Sequence, residues 1–182
     1  ASFGQSLKIT KEMFSLWMRL LQKVPDSILW LLTSNKTCEN NLRAFASSEF
    51  GIQSERLFFA KKVSFDDHIQ RHQIIDIFLD TFPYNAHTSA SDALWAGCPM
   101  ISLSGETFAS RVAGSILTEI GCSELIVSSI EEYEKKAIEL ASKPDKIMSV
   151  KRKILDLKKT SNLFKPKKFT FDLENKMIGL MG

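Results

Sequence analysis

Apolar residues follow two alternating periods from the start of the chain to about residue 128. Between Phe14 and Leu21 they recur at i, i+3, i+4 and i+7, which predicts a helix over residues 11–23 with one face on a core. The continuous apolar run ILWLL follows at residues 28–32. Such a run is typical of a strand that is buried on both faces of a parallel sheet.

The same alternation continues along the chain. It predicts strands at 56–60, 74–80, 99–103 and 124–127, and helices at 39–49, 65–72, 89–96 and 106–119. Strands and helices that alternate at this spacing form βαβ units. We therefore predict an α/β fold, a Rossmann-like parallel sheet with helices on both faces. Ligands of such sheets bind beyond the carboxyl ends of the strands, where the helices begin.

Only helices are predicted after residue 128. Their ranges are 130–142, 145–160 and 167–181. We predict that residues 1–160 form the Rossmann-like domain, and that residues 161–182 form a C-terminal helix that closes it or crosses to another domain. Because the chain enters a strand-to-helix turn within its first ten residues, we also expect it to be part of a longer protein.

Charge and hydropathy narrow the class of protein. The sequence has no run of 18 apolar residues and no basic stretch followed by an apolar one at its start, so neither a membrane span nor a signal peptide is predicted. We expect a cytoplasmic protein. Ten of the 24 basic residues lie in 143–168, but without the series of aromatic residues that stacks on bases. A solvated helix face is favoured there, with no nucleic-acid or membrane partner.

The stretch PYNAHTSASDALWAGCP, residues 83–99, carries the densest candidate chemistry. The helix is predicted to begin near Thr88 or Ser89, where free backbone amides and the positive end of the dipole attract anions. The two hydroxyls and the His87 imidazole would suit a phosphate. The alternative is that Ser89 and Asp92 form a capping box, which needs no ligand. This interpretation does not account for His87 or for the preceding Tyr84 and Asn85.

A second candidate lies in the first strand-to-helix loop. The stretch FGQSLKIT places Gln5 and Lys8 at the sheet edge that residues 87–89 are predicted to share. A lysine there could neutralise the charge of a diphosphate. Taken alone, Lys8 fits an ordinary surface lysine as well, and only the joint placement favours a site.

Metal chemistry is disfavoured. His68 and His72 are spaced i, i+4 on one predicted helix face, but position 69 is Ile rather than the Glu of a metalloprotease helix, and no third ligand is apparent. An amphipathic helix is the favoured interpretation. The sequence also lacks the P-loop, the G-x-G-x-x-G loop, the G-x-S-x-G elbow and a D-x-D pair.

Four stretches together resemble the C-terminal catalytic half of the O-linked N-acetylglucosamine transferases, a family that includes SPINDLY-type plant enzymes and bacterial homologues. They are FGQSLKI at 3–9, VPDSILWLL at 24–32, DIFLDTFPYNAHTSASDALWAGCP at 76–99 and GETFASRVAGSIL at 105–117. The resemblance implies an enzyme, an inverting GT-B glycosyltransferase that moves GlcNAc from UDP-GlcNAc to Ser and Thr of proteins. It also implies that this half holds the donor without a metal or another cofactor.

The resemblance assigns the diphosphate contacts. Gln5 and Lys8 match residues that contact the diphosphate, and Lys8 matches the catalytic lysine that stabilises the UDP leaving group. His87, Thr88 and Ser89 match the family's phosphate-contacting His-Thr-Thr. Ser89 replaces the more common Thr and keeps its hydroxyl.

Four further positions are implied on the nucleoside side. Asp92 matches the acid that holds the ribose hydroxyls, and Arg71 matches a residue near the uracil. Phe65 lies about where some members place a lysine against the uracil, so either the base stacks on an aromatic ring instead or the loop differs here. His68 falls near a position that lines the nucleotide pocket.

Two parts of the family are outside these 182 residues. They are the tetratricopeptide repeats that recruit the acceptor protein and the N-terminal catalytic half. We therefore expect the chain alone to bind UDP weakly and to transfer little or nothing. The same fold with UDP-glucose or GDP-fucose, or a noncatalytic nucleotide-binding or interaction module, stays open as an alternative.

Overall fold

The computed structural model describes residues 1–33 and 35–181, the last of these by its backbone only. Gly182, which ends the predicted C-terminal segment, lies outside the described residues. The strands are β1 (Leu29–Leu32), β2 (Leu57–Ala60), β3 (Phe78–Leu79), β4 (Met100–Leu103) and β5 (Ile126–Val127). The helices are α1 (Lys11–Lys23), α2 (Lys36–Phe50), α3 (Phe65–Gln73), α4 (Thr88–Trp95), α5 (Val112–Glu119), α6 (Ile130–Ala141), α7 (Pro144–Thr160) and α8 (Pro166–Met181).

The strands form one parallel sheet that is joined in the middle by the first two residues. β1 pairs with β2, and β4 pairs with β3 and β5. Ser2 forms a parallel bridge with Leu31, while the Ala1 carbonyl accepts from the Leu79 amide at 2.7 Å. The order across the sheet is β2, β1, residues 1–2, β3, β4, β5. In chain order this is the Rossmann arrangement, so the predicted fold class is confirmed.

Helices cover both faces of the sheet. α1 packs against α2 and α6, whereas α4 packs against α3, α5 and α7. Right-handed crossovers send helices to opposite faces when the strand order reverses direction. Because that order reverses between residues 1–2 and β3, α1 and α2 lie on one face and α3 to α5 on the other.

Local sequence explains where the best-defined helix begins and what it buries. The Thr10 hydroxyl accepts from the Met13 amide at 3.2 Å and caps α1, whose bounds match the prediction. The predicted apolar stripe is buried throughout, and Trp17 is fully inaccessible. Burial of a large apolar side chain stabilises a fold by about 1.5–3 kcal/mol, so this stripe anchors the helix.

Three predicted elements are clearly shorter in the structure, whereas α2 begins at Lys36, three residues before the predicted helix 39–49. The predicted strand 74–80 is reduced to β3, because the turn that follows α3 occupies its first half and Ile74 is 74% exposed. The predicted helix 106–119 begins only at Val112, since Thr107 and Ser110 cap a short 3-10 turn before it. Likewise, a 3-10 turn over Ser123–Leu125 shortens the strand predicted at 124–127.

The C-terminal helix differs from the rest of the molecule. Every side chain from residue 166 to residue 180 is exposed, whereas Leu163 and Phe164 just before α8 still pack on the core. Whether residues 161–182 close the domain or cross to another stays a prediction. Among the described residues, no helix has the length and apolar character that crossing a membrane requires.

Candidate functional site

Two loops meet at the carboxyl edge of the sheet, where the strand order reverses. One follows residues 1–2 and carries Lys8, and the other follows β3 and leads into α4. The Lys8 ammonium donates to the backbone carbonyl of Asn85 at 2.9 Å, across 77 positions of sequence. The predicted meeting of the two loops therefore occurs at the usual ligand position of this fold.

The amino end of α4 is formed as predicted, but its cap is not. His87 is the N-cap residue, and within the described part of the chain no side chain caps the helix. The capping box of Ser89 and Asp92 is wrong, because Ser89 already lies inside the first turn. The first intrahelical bond is donated by Ala90 to the His87 carbonyl at 3.0 Å. The amides of Thr88 and Ser89 therefore precede it at the anion-attracting end.

Aromatic rings surround His87. The Tyr84 ring stacks on the imidazole with centroids 5.1 Å apart and planes at 20°, and Phe108 meets it edge-on at 6.1 Å. The Lys8 ammonium lies 3.8 Å from the centroid of the Tyr84 ring. Burial lowers the pKa of Lys8, and the nearby Asp80 opposes this shift.

Asp80 is a site residue that sequence reasoning missed. It is 1% exposed and accepts from the Ser102 hydroxyl at 2.6 Å and from the amides of Ala86 and Thr81 at 2.6 and 2.8 Å. Burial raises its pKa to about 7, against the effect of these hydrogen bonds. In the sequence, Asp80 directly follows the apolar Phe78 and Leu79 at the end of a predicted buried strand, and this position could have identified it as a site residue. Asp80 ties the loop before α4 to the core.

Asn85 fixes the same loop from the other side. It is fully buried, and its amide nitrogen donates to the carbonyls of Thr81 and Leu103 at 2.9 and 3.2 Å. The backbone amide of Asn85 donates to the Ala109 carbonyl at 2.9 Å. These bonds fix the Asn85 carbonyl that accepts from Lys8. The position of the Lys8 ammonium therefore depends on β4 and on the segment that follows it.

A second cluster joins α3 to α4. His68 Nε2 lies 3.6 Å from Asp92 Oδ2, its Nδ1 is paired with the Arg71 guanidinium, and Arg71 lies 4.2 Å from the centroid of the Phe3 ring. Burial lowers the pKa of His68 and raises that of Asp92. Because both burial and the neighbouring Arg71 disfavour the charged form of His68, this ring is a weak ion-pair partner for the Asp92 carboxylate.

His72 belongs to the core. It is fully buried, its Nδ1 lies 2.7 Å from the His68 carbonyl oxygen, and burial lowers its pKa to about 4. Its ring packs edge-on against Phe3 at 5.1 Å and stacks on Phe78 at 5.8 Å. Over the ranges that the structure describes, no three His, Cys, Asp or Glu side chains form a group that could hold a metal ion.

The remaining predicted residues lie at the rim. Gln5 is exposed at the start of a 3-10 turn over Ser6–Lys8, and Thr88 is exposed at the first position of α4. Phe65, the first residue of α3, is 64% exposed. The structure thus brings Lys8 to the loop before α4 and joins Asp92 to α3, with the other residues around the opening.

A separate cavity of about 500 Å³ lies at the opposite edge of the sheet. Apolar side chains that include Trp17, Trp30 and Ile77 line much of it, and the segments before β1 and β3 close it. An apolar lining does not suit a phosphorylated ligand, so the candidate site is the open carboxyl edge.

Comparison with known families identifies one that matches most of the chain. The family model for glycosyl transferase family 41 matches residues 1–173. The chain belongs to this family. This assignment confirms the resemblance of the stretches within residues 3–117 to the O-linked N-acetylglucosamine transferases.

Curated relatives carry names of the same kind. The chain is 37% identical over 175 residues to the probable UDP-N-acetylglucosamine–peptide N-acetylglucosaminyltransferase SEC of Arabidopsis thaliana. It is 34% identical over 180 residues to the corresponding transferase of Caenorhabditis elegans. These matches cover 96% and 99% of the chain but only 18% and 16% of the relatives' own lengths.

A solved structure has the same fold. A mutant of the Thermobaculum terrenum O-GlcNAc transferase superposes with a TM-score of 0.90 at 26% sequence identity. The superposition covers 97% of this chain and 34% of that one. The described domain thus corresponds to about a third of that enzyme.

Proposed function

We propose that the chain is the donor-binding half of an inverting GT-B glycosyltransferase that transfers GlcNAc from UDP-GlcNAc to Ser and Thr of proteins. The observation that carries this proposal is the bond between the Lys8 ammonium and the Asn85 carbonyl. It joins a cation from the first loop to the loop that opens the amino end of α4. The names of the relatives support the donor and the protein acceptor.

The proposed chemistry is a displacement at the sugar carbon C1. The acceptor hydroxyl oxygen attacks C1 and its proton passes to a donor phosphate oxygen or to water, while the bond from C1 to the β-phosphate oxygen breaks and its electron pair leaves with UDP. Lys8 and the amino end of α4 stabilise the charge that develops there, with His87, Thr88 and Ser89 as hydrogen-bonding partners and Gln5 at the rim. We propose that this needs neither a metal nor another cofactor.

The nucleoside is proposed to lie between α3 and α4. Asp92 would accept hydrogen bonds from the ribose hydroxyls, because among the described residues its one ion-pair neighbour is His68, at 3.6 Å, and burial lowers the pKa of that ring. Arg71 would face the uracil, and Phe65 offers an exposed ring for stacking at the same end of α3. Base–aromatic stacking is a general mode of nucleotide binding.

Parts of a longer protein are proposed as partners. They are an N-terminal catalytic half that completes the active site and tetratricopeptide repeats that recruit the acceptor. A cytoplasmic location would fit an enzyme that modifies intracellular proteins. The relatives, of which the chain spans 18% and 16%, are long enough to hold such parts.

Calorimetric titration with UDP, GDP and UDP-GlcNAc tests the proposal. We expect UDP-selective binding that weakens by about 1–3 kcal/mol in Lys8→Ala and in Asp92→Asn, the range for losing a hydrogen bond to a charged group. Lys159→Ala and Asp156→Asn are matched controls, because this exposed pair lies on α7. Both controls should bind UDP as the unaltered protein does.

Other results would contradict parts of the proposal. Equal or tighter binding of GDP would favour a GDP-sugar such as GDP-fucose over UDP-GlcNAc. Tight UDP binding that is unchanged in Lys8→Ala and Asp92→Asn would place the nucleotide elsewhere. A folded protein that binds no UDP at millimolar concentration would contradict a donor site formed by these residues and favour a noncatalytic module.

A further inference from the structure

The Tyr84 ring lies between two groups of the diphosphate site. The Lys8 ammonium is 3.8 Å from its centroid, and the His87 imidazole stacks on it at 5.1 Å. Tyr84 is 45% exposed, so the core does not require an aromatic residue there. Neither the family resemblance nor the fold assigns a role to this ring.

We propose that Tyr84 is a positioning residue that holds Lys8 and His87 in place for the diphosphate. The inference rests on the proposed function, because it concerns the same site. Its ligand is the diphosphate of a nucleoside diphosphate, and the Tyr84 ring acts through its two neighbours rather than on the sugar.

The lysine gains most from such support. A lysine side chain loses much rotational freedom when it is fixed, and that loss weakens ligand binding unless it occurs beforehand. The negative face of an aromatic ring attracts an ammonium group. Together with the Asn85 carbonyl at 2.9 Å, the ring holds the Lys8 ammonium at two points. A third N–H remains for a phosphate oxygen.

The histidine needs the ring for a different reason. His87 Nε2 is buried and, among the described residues, has no hydrogen-bond partner. Its orientation therefore depends on the stacked Tyr84 and on the edge contact with Phe108 at 6.1 Å. A ring on only one side would leave the imidazole free to turn.

Two substitutions separate the ring from the hydroxyl. Tyr84→Phe keeps the ring, and Tyr84→Leu keeps an apolar side chain without a π face. We expect UDP affinity within about twofold of the unaltered protein for Tyr84→Phe, and a loss on the order of fivefold to thirtyfold for Tyr84→Leu. Affinity for uridine, which lacks the diphosphate, should change less than about twofold in both. Ligand-observed NMR covers the weak uridine binding.

A double-mutant cycle tests the coupling to Lys8. In a Lys8→Ala background, Tyr84→Leu should weaken UDP binding clearly less than it does alone, because residues that contact each other are not additive. Thermal melts confirm that each variant is folded, and Tyr84→Met gives the same test should Tyr84→Leu unfold.

The possible outcomes distinguish this inference from the proposed function. UDP selectivity with an unchanged affinity in Tyr84→Leu would overturn the positioning role alone, as would an equal loss for UDP and uridine. An equal loss in Tyr84→Phe and Tyr84→Leu would assign the effect to the hydroxyl and overturn the role of the ring. A protein that binds UDP no better than uridine would contradict both proposals.

Discussion

Asp80 and His72 are buried titratable residues whose pKa values shift in opposite directions. Burial raises the pKa of Asp80 to about 7 and lowers that of His72 to about 4. Between about pH 4 and about pH 6.5, folding therefore binds a proton at Asp80 and releases one at His72. Their effects on the pH dependence of stability oppose each other, so only a variant of one residue reveals either effect.

Asp80→Asn should change the pH profile of stability. Because the folded pKa is raised above the unfolded value of 3.8, Asp80 lowers the free energy of unfolding as the pH rises from about 4 to about 7. The stability of Asp80→Asn minus that of the unaltered protein should therefore increase with pH, by at most about 1.4 kcal/mol per pH unit. Urea unfolding at several pH values measures this slope.

Asp80→Ala is the companion variant. It also removes the acceptor of the Thr81 and Ala86 amides, so it should be less stable than Asp80→Asn throughout. A stability difference between Asp80→Asn and the unaltered protein that stays constant with pH would contradict the raised pKa.

Helix α4, like α5 and α7, lacks within the described chain the side-chain cap that four other helices have at the amino end. Side chains cap four others, namely Thr10 for α1, Asn35 for α2, Ser64 for α3 and Ser129 for α6. At α4 the N-cap is His87, which within the described chain makes no side-chain cap bond. A ligand that binds the free amides there would stabilise the helix as a cap does.

Ser89→Ala and Ser129→Ala form a matched test of this difference. The Ser129 hydroxyl accepts from the Glu132 amide at 3.1 Å, so its loss should lower the free energy of unfolding by about 1 kcal/mol. Among the described residues Ser89 makes no cap bond, so Ser89→Ala should change the free energy of unfolding by less than about 0.5 kcal/mol. Urea unfolding without ligand measures both. A loss at Ser89 as large as that at Ser129 would show that Ser89 does cap the helix.

Helix α7 holds the C-terminal part of the chain against the domain. It packs on α4 and α6, and the Lys158 ammonium donates to the Trp95 carbonyl at 2.8 Å. Gly97 lies in the turn after α4 with φ of +83°, and a Cβ there would meet Leu155 Cδ2 at 2.7 Å. Seven of the nine lysines in residues 143–168, Lys158 among them, donate to a carboxylate or a carbonyl.

Gly97→Ala should destabilise the molecule by about 1–3 kcal/mol, because it combines backbone strain at positive φ with overpacking against α7. Gly179→Ala is the control. Within the part of the chain that the structure describes, a Cβ there meets nothing within 4 Å on the exposed α8, so stability should stay unchanged or rise slightly. Thermal unfolding of both variants is the measurement. Equal stability of the two would show that α7 adapts freely at Gly97.

The sequence by itself determined the alternation of strands and helices, the bounds of α1 and the start of α4. These features depend on hydrophobic periodicity and local propensity, which are determined by residues close together in the sequence. It also placed Lys8 beside the loop before α4, because parallel strands bring their carboxyl ends to one edge of a sheet. The roles proposed for the individual residues come from the family resemblance and stay predictions.

Only the tertiary structure decided what holds the site together. It buried Asp80, and it placed the Tyr84 ring between Lys8 and His87 and His68 beside Asp92. These contacts join residues that lie far apart in the chain or on separate elements. The cap of α4 was also decided there, since the loop geometry made His87 rather than Ser89 its N-cap. Such contacts depend on how the elements pack in three dimensions, and the periodicity of the sequence does not predict that packing.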